Sequence, residues 1–190
     1  MAIEVELKFP LDAATPTAED LSSRLVELGA AALPPRRQRD CYYAHPQRDF
    51  AVTDEALRIR DDQGRIFLTY KGPLLDPLAK TRRELETGLE SAEVAAEIFE
   101  MLGFRPVRVV AKHRRPFHLT WQEVAVEAVI DEVDDLGTFV ELETITDEAG
   151  HEAARDQLLA LASNLGLEHG ERRSYLGLLL ARDEESTNRS

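Results

Sequence analysis

Charged residues occupy every second position at the start of the chain. Glu4, Glu6 and Lys8 alternate with apolar residues over 3–9. Alternation with a period of two indicates a β-strand with one charged and one apolar face. Carboxylates on one face can bind a divalent cation, and a lysine beside them can bind an anion. Taken alone, the segment also suits an edge strand whose polar face lies in water.

The same spacing recurs on further segments, and this recurrence favours an interior site over a single edge strand. Basic residues share strand faces at Arg58 and Arg60, at Lys71 beside Thr69, at Lys80 and Arg82, and at Lys112 and Arg114. Acidic residues do so at Glu84, Glu86, Glu127, Asp131, Glu141 and Glu143. A sheet facing water would carry mixed polar residues instead, so the pattern predicts that the charged faces line an interior.

Charges in an interior must be paired or must meet a ligand, because burying them otherwise is prohibitive. Carboxylates would hold a divalent metal ion, and arginines and lysines would hold phosphate oxygens. The sequence therefore predicts a lumen that binds a polyanion together with a metal ion. The apolar faces would then lie on the outside of the barrel and would be covered by amphipathic helices. This is the reverse of a usual barrel, whose interior is apolar.

The predicted elements are those of an α+β protein. Helices are predicted over 16–28, capped by Thr15 and ended by Gly29, and over 91–103, 151–166 and 174–182. About eight strands lie between them, joined mostly as hairpins, which predicts an eight-stranded antiparallel β-barrel with helices packed outside. We expect a single domain over 1–182 and a polar tail over 183–190.

Composition excludes several classes of protein. The 190 residues carry a formal net charge of -13, which argues against a broad nucleic-acid interface. One cysteine, Cys41, excludes an internal disulfide and fits a reducing compartment. No apolar run is long enough for a membrane span, so we expect a cytoplasmic protein without nucleic-acid or membrane partners. P-loop, HExxH and CxxC motifs are absent from the sequence.

Several motifs together resemble one family. The segment EVELK at 4–8 resembles the ExExK signature of the CYTH, or triphosphate tunnel metalloenzyme, superfamily. Further segments resemble it in order: ALRIR at 56–60, LTYKG at 68–72, KTRRELE at 80–86, VVAKHR at 109–114, VIDEVDDLGTFVELE at 129–143 and RSYLGLLL at 173–180. The segment from 37 to 73 is most similar to the class IV adenylyl cyclase branch.

The resemblance implies an eight-stranded tunnel, a triphosphate ligand and Mg²⁺ or Mn²⁺. It implies metal ligation by Glu4, Glu6, Asp131, Glu141 and Glu143. It implies phosphate binding by Lys8, Arg58, Arg60, Lys71, Lys80, Arg82, Lys112 and Arg114. Glu84 and Glu86 would orient basic residues or hold a second metal ion. His113 stands where a further basic residue is usual, but its position predicts that it points outward.

Three functions stay open. The first is an adenylyl cyclase, in which the ribose 3′-oxygen of ATP attacks the α-phosphorus and pyrophosphate leaves, with Glu4, Glu6 and Lys8 as the catalytic residues. The second is a triphosphatase acting on tripolyphosphate, thiamine triphosphate or a nucleoside triphosphate. The third is a non-catalytic polyphosphate or nucleotide binder. Lys8 as a general base is a weaker hypothesis than direct activation by the metal.

Two further expectations concern assembly and access. The apolar segment SYLGLLLAR at 174–182 would plug one tunnel end or pack in an interface of a homodimer. The proline-containing loop over 72–80 would form a flap over one mouth of the tunnel.

Overall fold

The computed structural model describes residues 3–74 and 80–187, and describes Lys80 by its backbone alone. Within these ranges the strands are β1 Ile3–Pro10, β2 Ala31–Ala32, β3 Arg36–Ala44, β4 Ala56–Asp62, β5 Arg65–Lys71, β6 Lys80–Arg82, β7 Glu84–Leu89, β8 Arg105–Trp121, β9 Val124–Val133 and β10 Gly137–Thr146. The helices are α1 Ala18–Glu27, α2 Phe50–Thr53, α3 Ala92–Met101, α4 His151–Leu165 and α5 Tyr175–Thr187.

The strands form one antiparallel sheet that closes almost completely into a barrel. Its order is β6-β1-β10-β9-β8-β3-β4-β5-β7. The two ends of this path, β6 and β7, are consecutive in the chain and separated only by Arg83. One bent strand therefore joins β1 on one side to β5 on the other. The predicted antiparallel barrel with helices outside is confirmed.

The predicted count of eight strands is wrong, since the described residues form ten. The segment that carries Lys80, Arg82, Glu84 and Glu86 is divided into two strands at Arg83, whose carbonyl accepts a hydrogen bond of 2.9 Å from the Gly72 N–H. In addition, the two residues of β2 pair with β8 off the main path. Neither the break nor the extra strand changes which side chains point inward, because the even-numbered residues of β6 and β7 stay on the same face.

Most of the apolar core lies outside the barrel, between its outer face and the helices, and a smaller cluster around Phe139 and Tyr175 lies where α5 meets the tunnel. Helices α1 and α4 cover β1 and β10, where Leu21, Leu25, Leu158 and Leu161 are completely buried. Helix α3 covers β3, β4 and β5 through its alanines and Phe99. The outer faces therefore supply the hydrophobic stabilisation, and the inner faces are free to carry charge.

The helix ends agree with the sequence in part. Ser91 caps α3, and Gly166 ends α4 with a φ of +78°, as predicted. Thr15 does not cap α1. Thr17 does, forming a capping box with Asp20, because Pro16 stands one position before the cap rather than in the first turn.

The remaining differences are small. Helix α5 continues to Thr187, into the segment expected to be a polar tail, and the single turn of α2 was not anticipated. The expected flap over 72–80 falls largely on 75–79, outside the described residues. Among the described helices, none combines the length and the apolar character needed to cross a membrane.

Candidate functional site

The charged strand faces point into the barrel, as the alternation predicted. They enclose a tunnel cavity of about 240 Å³. Most of the expected side chains along it are buried: Glu4, Glu6, Lys8, Arg58, Arg60, Arg82, Lys112, Arg114 and Glu141. Asp131 is completely buried behind the lining, against Lys112 and Arg114. Lys71, Glu84 and Glu143 are half-buried along the same cavity, and Glu86 is exposed at its edge. The side chain of Lys80 lies outside what the structure describes.

Three carboxylates converge on one wall of the tunnel. Strands β1 and β10 pair so that Glu6 stands opposite Glu143 and Lys8 opposite Glu141. One carboxylate oxygen from each of Glu6, Glu141 and Glu143 lies within 4.8 Å of the others. We call this group the carboxylate cluster. Its all-oxygen donor set is the kind that hard divalent cations prefer, so the residues fit Mg²⁺ or Mn²⁺.

The pKa values around the carboxylate cluster are displaced in both directions. Burial, together with Glu4, raises the pKa of Glu143 well above 4.5. Burial opposes ionisation of Glu141 too, yet the nearby Lys8 and Lys112 lower its pKa to about 2. A bound cation would relieve the unfavourable ionisation of Glu143, because it would neutralise the crowded negative charge.

Glu4 and Asp131, the other expected metal ligands, are held by cations in this structure. The carboxylate of Glu4 lies 2.6 Å from the Lys71 ammonium. Burial raises the pKa of Glu4 to about 7 against the opposing charge of Lys71. Asp131 accepts hydrogen bonds of 2.8 Å from Lys112 and of 2.8 and 2.6 Å from the Arg114 guanidinium. The structure thus places these two outside the carboxylate cluster.

Cations crowd the opposite wall, where they depend on one acidic residue that the sequence interpretation missed. Asp40 on β3 accepts two hydrogen bonds of 2.7 Å from Arg60 and one of 3.2 Å from Arg58. Burial raises the pKa of this carboxyl, but the two arginines hold it well below its usual range. Parity would have found Asp40, because it shares a face of β3 with Gln38 and Tyr42.

Lys112 shows how strongly positive this wall is. Burial and the like charge of Arg114 lower the pKa of Lys112, although Asp131 lies 2.8 Å away. A polyanion in the tunnel would therefore be attracted by several cations that are already close together. Phosphate oxygens are suitable acceptors for arginine and lysine donors in such a space.

Glu84 and Glu86 differ in their surroundings. Lys71 lies 2.6 Å from the Glu84 carboxylate. Burial opposes ionisation of Glu84, but Lys71 lowers its pKa to about 2. Glu86 accepts a hydrogen bond of 2.9 Å from the Thr69 hydroxyl. Glu84 therefore contacts a basic residue of the tunnel, and its expected orienting role stays a prediction.

Lys8 lies at the meeting point of β1, β10 and α5. Its ammonium donates to the Arg173 carbonyl at 3.0 Å, and it lies 3.4 Å from Glu141 and 3.7 Å from Glu6. The ring of Tyr175 lies below it, with the nitrogen 4.1 Å from the ring centre. Contacts with two carboxylates, a carbonyl and an aromatic face hold the Lys8 side chain in place.

Tyr175 is the second residue that the sequence interpretation missed. Its hydroxyl donates to Asp131 at 3.2 Å, and its ring packs edge-on against Phe139 with 5.1 Å between the centres. The first residue of α5 therefore lines the tunnel, whereas Leu179 of the same helix is buried in an apolar cluster. The sequence analysis allowed this apolar segment to plug a tunnel end, and Ser174, Tyr175 and Leu176 do line the tunnel, but it did not predict that Tyr175 bonds to a charged group.

Arg82 connects the tunnel to the segment before β4. Its guanidinium donates to the carbonyl of Asp54 at 2.9 Å. Asp54 ends the short α2 helix in the left-handed region, with a φ of +55°. The hydrogen bond fixes this turn beside one mouth of the tunnel.

A family model and a relative each match most of this chain. A family model described as "CYTH domain" matches residues 2–175. A protein of Methanocaldococcus jannaschii named "Putative adenylate cyclase MJ0240" is 38% identical over 179 residues, covering 93% of this chain and 98% of the relative.

Solved structures agree in fold. The PH1819 protein from Pyrococcus horikoshii is 37% identical, with a TM-score of 0.82 over 94% of this chain and 99% of its own. A structure from Vibrio parahaemolyticus, described as "a putative adenylate cyclase", is 24% identical. Its TM-score is 0.78 over 93% of this chain and 97% of its own.

Proposed function

Because the chain belongs to the CYTH domain family, we propose that it is a metal-dependent enzyme of the class IV adenylyl cyclase type, converting ATP to cyclic AMP and pyrophosphate. The observation that carries this proposal is the composition of one tunnel. A carboxylate cluster suited to a divalent cation faces several buried arginines and lysines suited to a phosphate chain. The name of the relative from M. jannaschii supports cyclase chemistry in particular.

The carboxylates have a binding role in this proposal. Glu6, Glu141 and Glu143 would hold Mg²⁺ or Mn²⁺, and Glu4 and Asp131 are the further candidate ligands. The cation, when bound, supplies Lewis-acid stabilisation of the phosphate oxygens and of the attacking hydroxyl.

The cations have an electrostatic role. Arg58, Arg60, Arg114 and Lys112 bind the phosphate oxygens, and Lys8, Lys71, Lys80 and Arg82 complete the set. Arg58, Arg60, Lys112 and Arg114 are fixed by buried ion pairs before the ligand arrives, so little reorganisation of these four is needed. They stabilise the charge that develops on pyrophosphate as it leaves.

The reaction itself is an intramolecular displacement. The ribose 3′-oxygen forms a bond to the α-phosphorus, and the bond from that phosphorus to the bridging oxygen of pyrophosphate breaks. Pyrophosphate leaves with the electron pair, and the hydroxyl proton passes to a base or to solvent. Lys8 is an unsuitable base while it faces Glu6 and Glu141, so we assign it to phosphate binding.

A triphosphatase is the second candidate function. At the far end of the tunnel, His118 and Glu127 lie 3.8 Å apart beside a second opening. Such groups could position a water molecule for attack on a terminal phosphorus. The carboxylate cluster and the cations of the tunnel would serve this hydrolysis as well as they serve cyclisation.

A product assay combined with calorimetry tests the proposal. The protein is incubated with ATP, and separately with tripolyphosphate, each with Mg²⁺ and with Mn²⁺. We expect cyclic AMP and pyrophosphate from ATP. Orthophosphate without cyclic AMP would establish the triphosphatase instead, and tight binding of ATP without any product would establish a non-catalytic binder.

A further inference from the structure

The second opening, at the far end of the tunnel, belongs to a cavity of about 510 Å³. Among the described residues, Glu127 on β9 and Glu143 on β10 line both this cavity and the tunnel. The two glutamates stand opposite each other in the register of their strands. The far opening is therefore bordered by carboxylates, which repel a phosphate chain unless positive charge lies beside them.

Arg36 on β3 provides positive charge at this end of the tunnel. Its Nη2 atom lies 3.9 Å from the Glu127 carboxylate, and its Nε atom lies 3.5 Å from the carboxylate of Asp62 on β4. Neither contact is short enough for a good hydrogen bond. The Nε atom is buried and has no hydrogen-bond partner among the described residues. Arg36 is thus attracted by two carboxylates, but its guanidinium keeps donors that can serve a ligand.

The arginines deeper in the tunnel are held more tightly. Arg60 donates two hydrogen bonds of 2.7 Å to Asp40. Arg114 donates hydrogen bonds of 2.8 and 2.6 Å to Asp131. Arg36 can turn its donors towards a ligand at a smaller cost than these two arginines can, because no short charged hydrogen bond has to break first.

A second observation also indicates an anion at this position. Arg36 stands directly opposite Arg114 in the register of β3 and β8. Like charges that face each other across two strands are destabilising. A phosphate group between the two guanidinium groups would accept hydrogen bonds from both and remove this repulsion.

The position of Arg36 along the tunnel determines which phosphate it can meet. Asp62, which Arg36 contacts, lies two residues beyond Arg60 on β4. Two residues of a strand span about 7 Å. A chain that contacts Arg60 and also reaches Arg36 must span a similar distance, which three linked phosphates do more readily than two.

We infer that Arg36 binds the end phosphate nearest the second opening, and that Glu127 competes with this phosphate for the Arg36 guanidinium. This inference rests on the proposed function, since it requires a phosphate chain in the tunnel. Arg36 then makes the tunnel select three linked phosphates over two. Glu127 weakens binding of the longer chain, because its charge both holds Arg36 and repels the end phosphate.

Two pairs of matched substitutions test the inference. Arg36→Gln removes the guanidinium at the far end, and Arg37→Gln removes its neighbour on the outer face of β3, which is 72% exposed. Glu127→Gln removes the competing carboxylate. Glu132→Gln removes a carboxylate of the same strand that is 57% exposed.

The ligands are the bis-methylene analogue of tripolyphosphate and methylenediphosphonate, whose carbon bridges resist hydrolysis. Their affinities are measured by calorimetry with Mg²⁺ on protein whose fold is checked by circular dichroism. All four variants should fold. In Arg36→Gln, for example, Asp62 still accepts a hydrogen bond of 3.0 Å from Arg65.

We expect the wild type to bind the ligand with three phosphorus atoms more tightly than the ligand with two. Arg36→Gln should weaken binding of the longer ligand by about tenfold or more, the effect of lost charged hydrogen bonds. The shorter ligand should bind within about twofold of wild type, because the deeper cations still hold it. General damage to the tunnel would weaken both ligands and leave their ratio unchanged. Arg37→Gln should change neither affinity.

Glu127→Gln should strengthen binding of the longer ligand by about two- to fivefold, the effect of a weak, half-exposed ion pair. The shorter ligand should bind as it does to the wild type. Glu132→Gln should have no effect on either ligand. A gain in affinity is informative, because a substitution that merely damages the fold does not produce one.

Four results would overturn the inference. Equal weakening of both ligands by Arg36→Gln would show a general charge effect, and no weakening would show that Arg36 stays with its carboxylates. Weaker binding of the longer ligand by Glu127→Gln would show that this glutamate supports binding. In these three cases the proposed function would stand. If the wild type bound neither ligand, the proposed function would fail together with this inference.

Discussion

Single residues of the tunnel are expected to act through charge. Replacing Arg58 or Lys71 by alanine should weaken binding of tripolyphosphate by roughly 10- to 100-fold, the effect of one lost charged hydrogen bond. Arg58→Ala leaves Asp40 paired with Arg60, so the fold should survive. Calorimetry with Mg²⁺ measures the change.

Arg65→Ala is the matched control for these variants. Arg65 lies on β5, and its side chain is largely exposed where it pairs with Asp62. Its removal should leave the affinity for tripolyphosphate unchanged. Wild-type affinity in both Arg58→Ala and Lys71→Ala would contradict the assignment of the tunnel as the phosphate site.

Glu4 predicts a dependence of stability on pH. Burial raises its pKa from 4.5 to about 7, so the folded protein holds a proton that the unfolded chain releases at lower pH. The free energy of unfolding of the metal-free protein should therefore fall, on account of this group, as pH rises from 4.5 through about 7. Above that range the contribution is constant.

Glu4→Gln isolates this contribution, because glutamine does not titrate. Chemical denaturation in the presence of a chelator, at several values between about pH 5 and about pH 8, should show a smaller loss of stability in the variant than in the wild type. Because Glu4 helps to raise the pKa of Glu143, the difference between the two curves also contains the loss of this coupling, which acts in the same direction. Parallel curves for the two proteins would show that the pKa of Glu4 is not raised.

Prediction from the sequence succeeded best for residues whose orientation is local. Alternation along a strand fixes the side of the sheet that each side chain faces, and this was enough to place Arg58, Lys112 and Glu141 in one interior. It could not determine which charges meet, since that depends on strand register between distant segments. The separation of Asp131 from the carboxylate cluster is of this kind.

At the scale of elements, the outer helices should carry the stability of the barrel. Leu161 in α4 is completely buried, so Leu161→Ala should lower the free energy of unfolding by about 2–5 kcal/mol. Leu159→Ala, in the same helix at 45% exposure, should lower it by about 0.5 kcal/mol or less. Urea denaturation measures both. Equal losses would contradict the location of the core outside the barrel.

Elements with strong local signals were predicted well, and elements made by tertiary contacts were not. The faces predicted at Arg58 and Arg60 and at Thr69 and Lys71 lie on β4 and β5, which pair with each other. The two residues of β2 are a strand only because they pair with β8, and the bend at Arg83 exists because one strand must join both edges of the barrel.

At the scale of the whole molecule, a charged interior inside an apolar shell is the feature on which the account depends. The net charge of -13 does not prevent anion binding, because the cations are concentrated in the tunnel. The expected homodimer and cytoplasmic location stay predictions, as does a flap over 72–80.

The chemistry of the whole molecule can be tested most directly with water labelled with ¹⁸O. The protein is incubated with ATP and Mg²⁺ or Mn²⁺ in labelled water, and the products are analysed by mass spectrometry. Cyclisation uses only the ribose oxygen, so we predict cyclic AMP and pyrophosphate that contain no label. Labelled orthophosphate, formed without cyclic AMP, would contradict the account, because it would show that water attacks the phosphate chain.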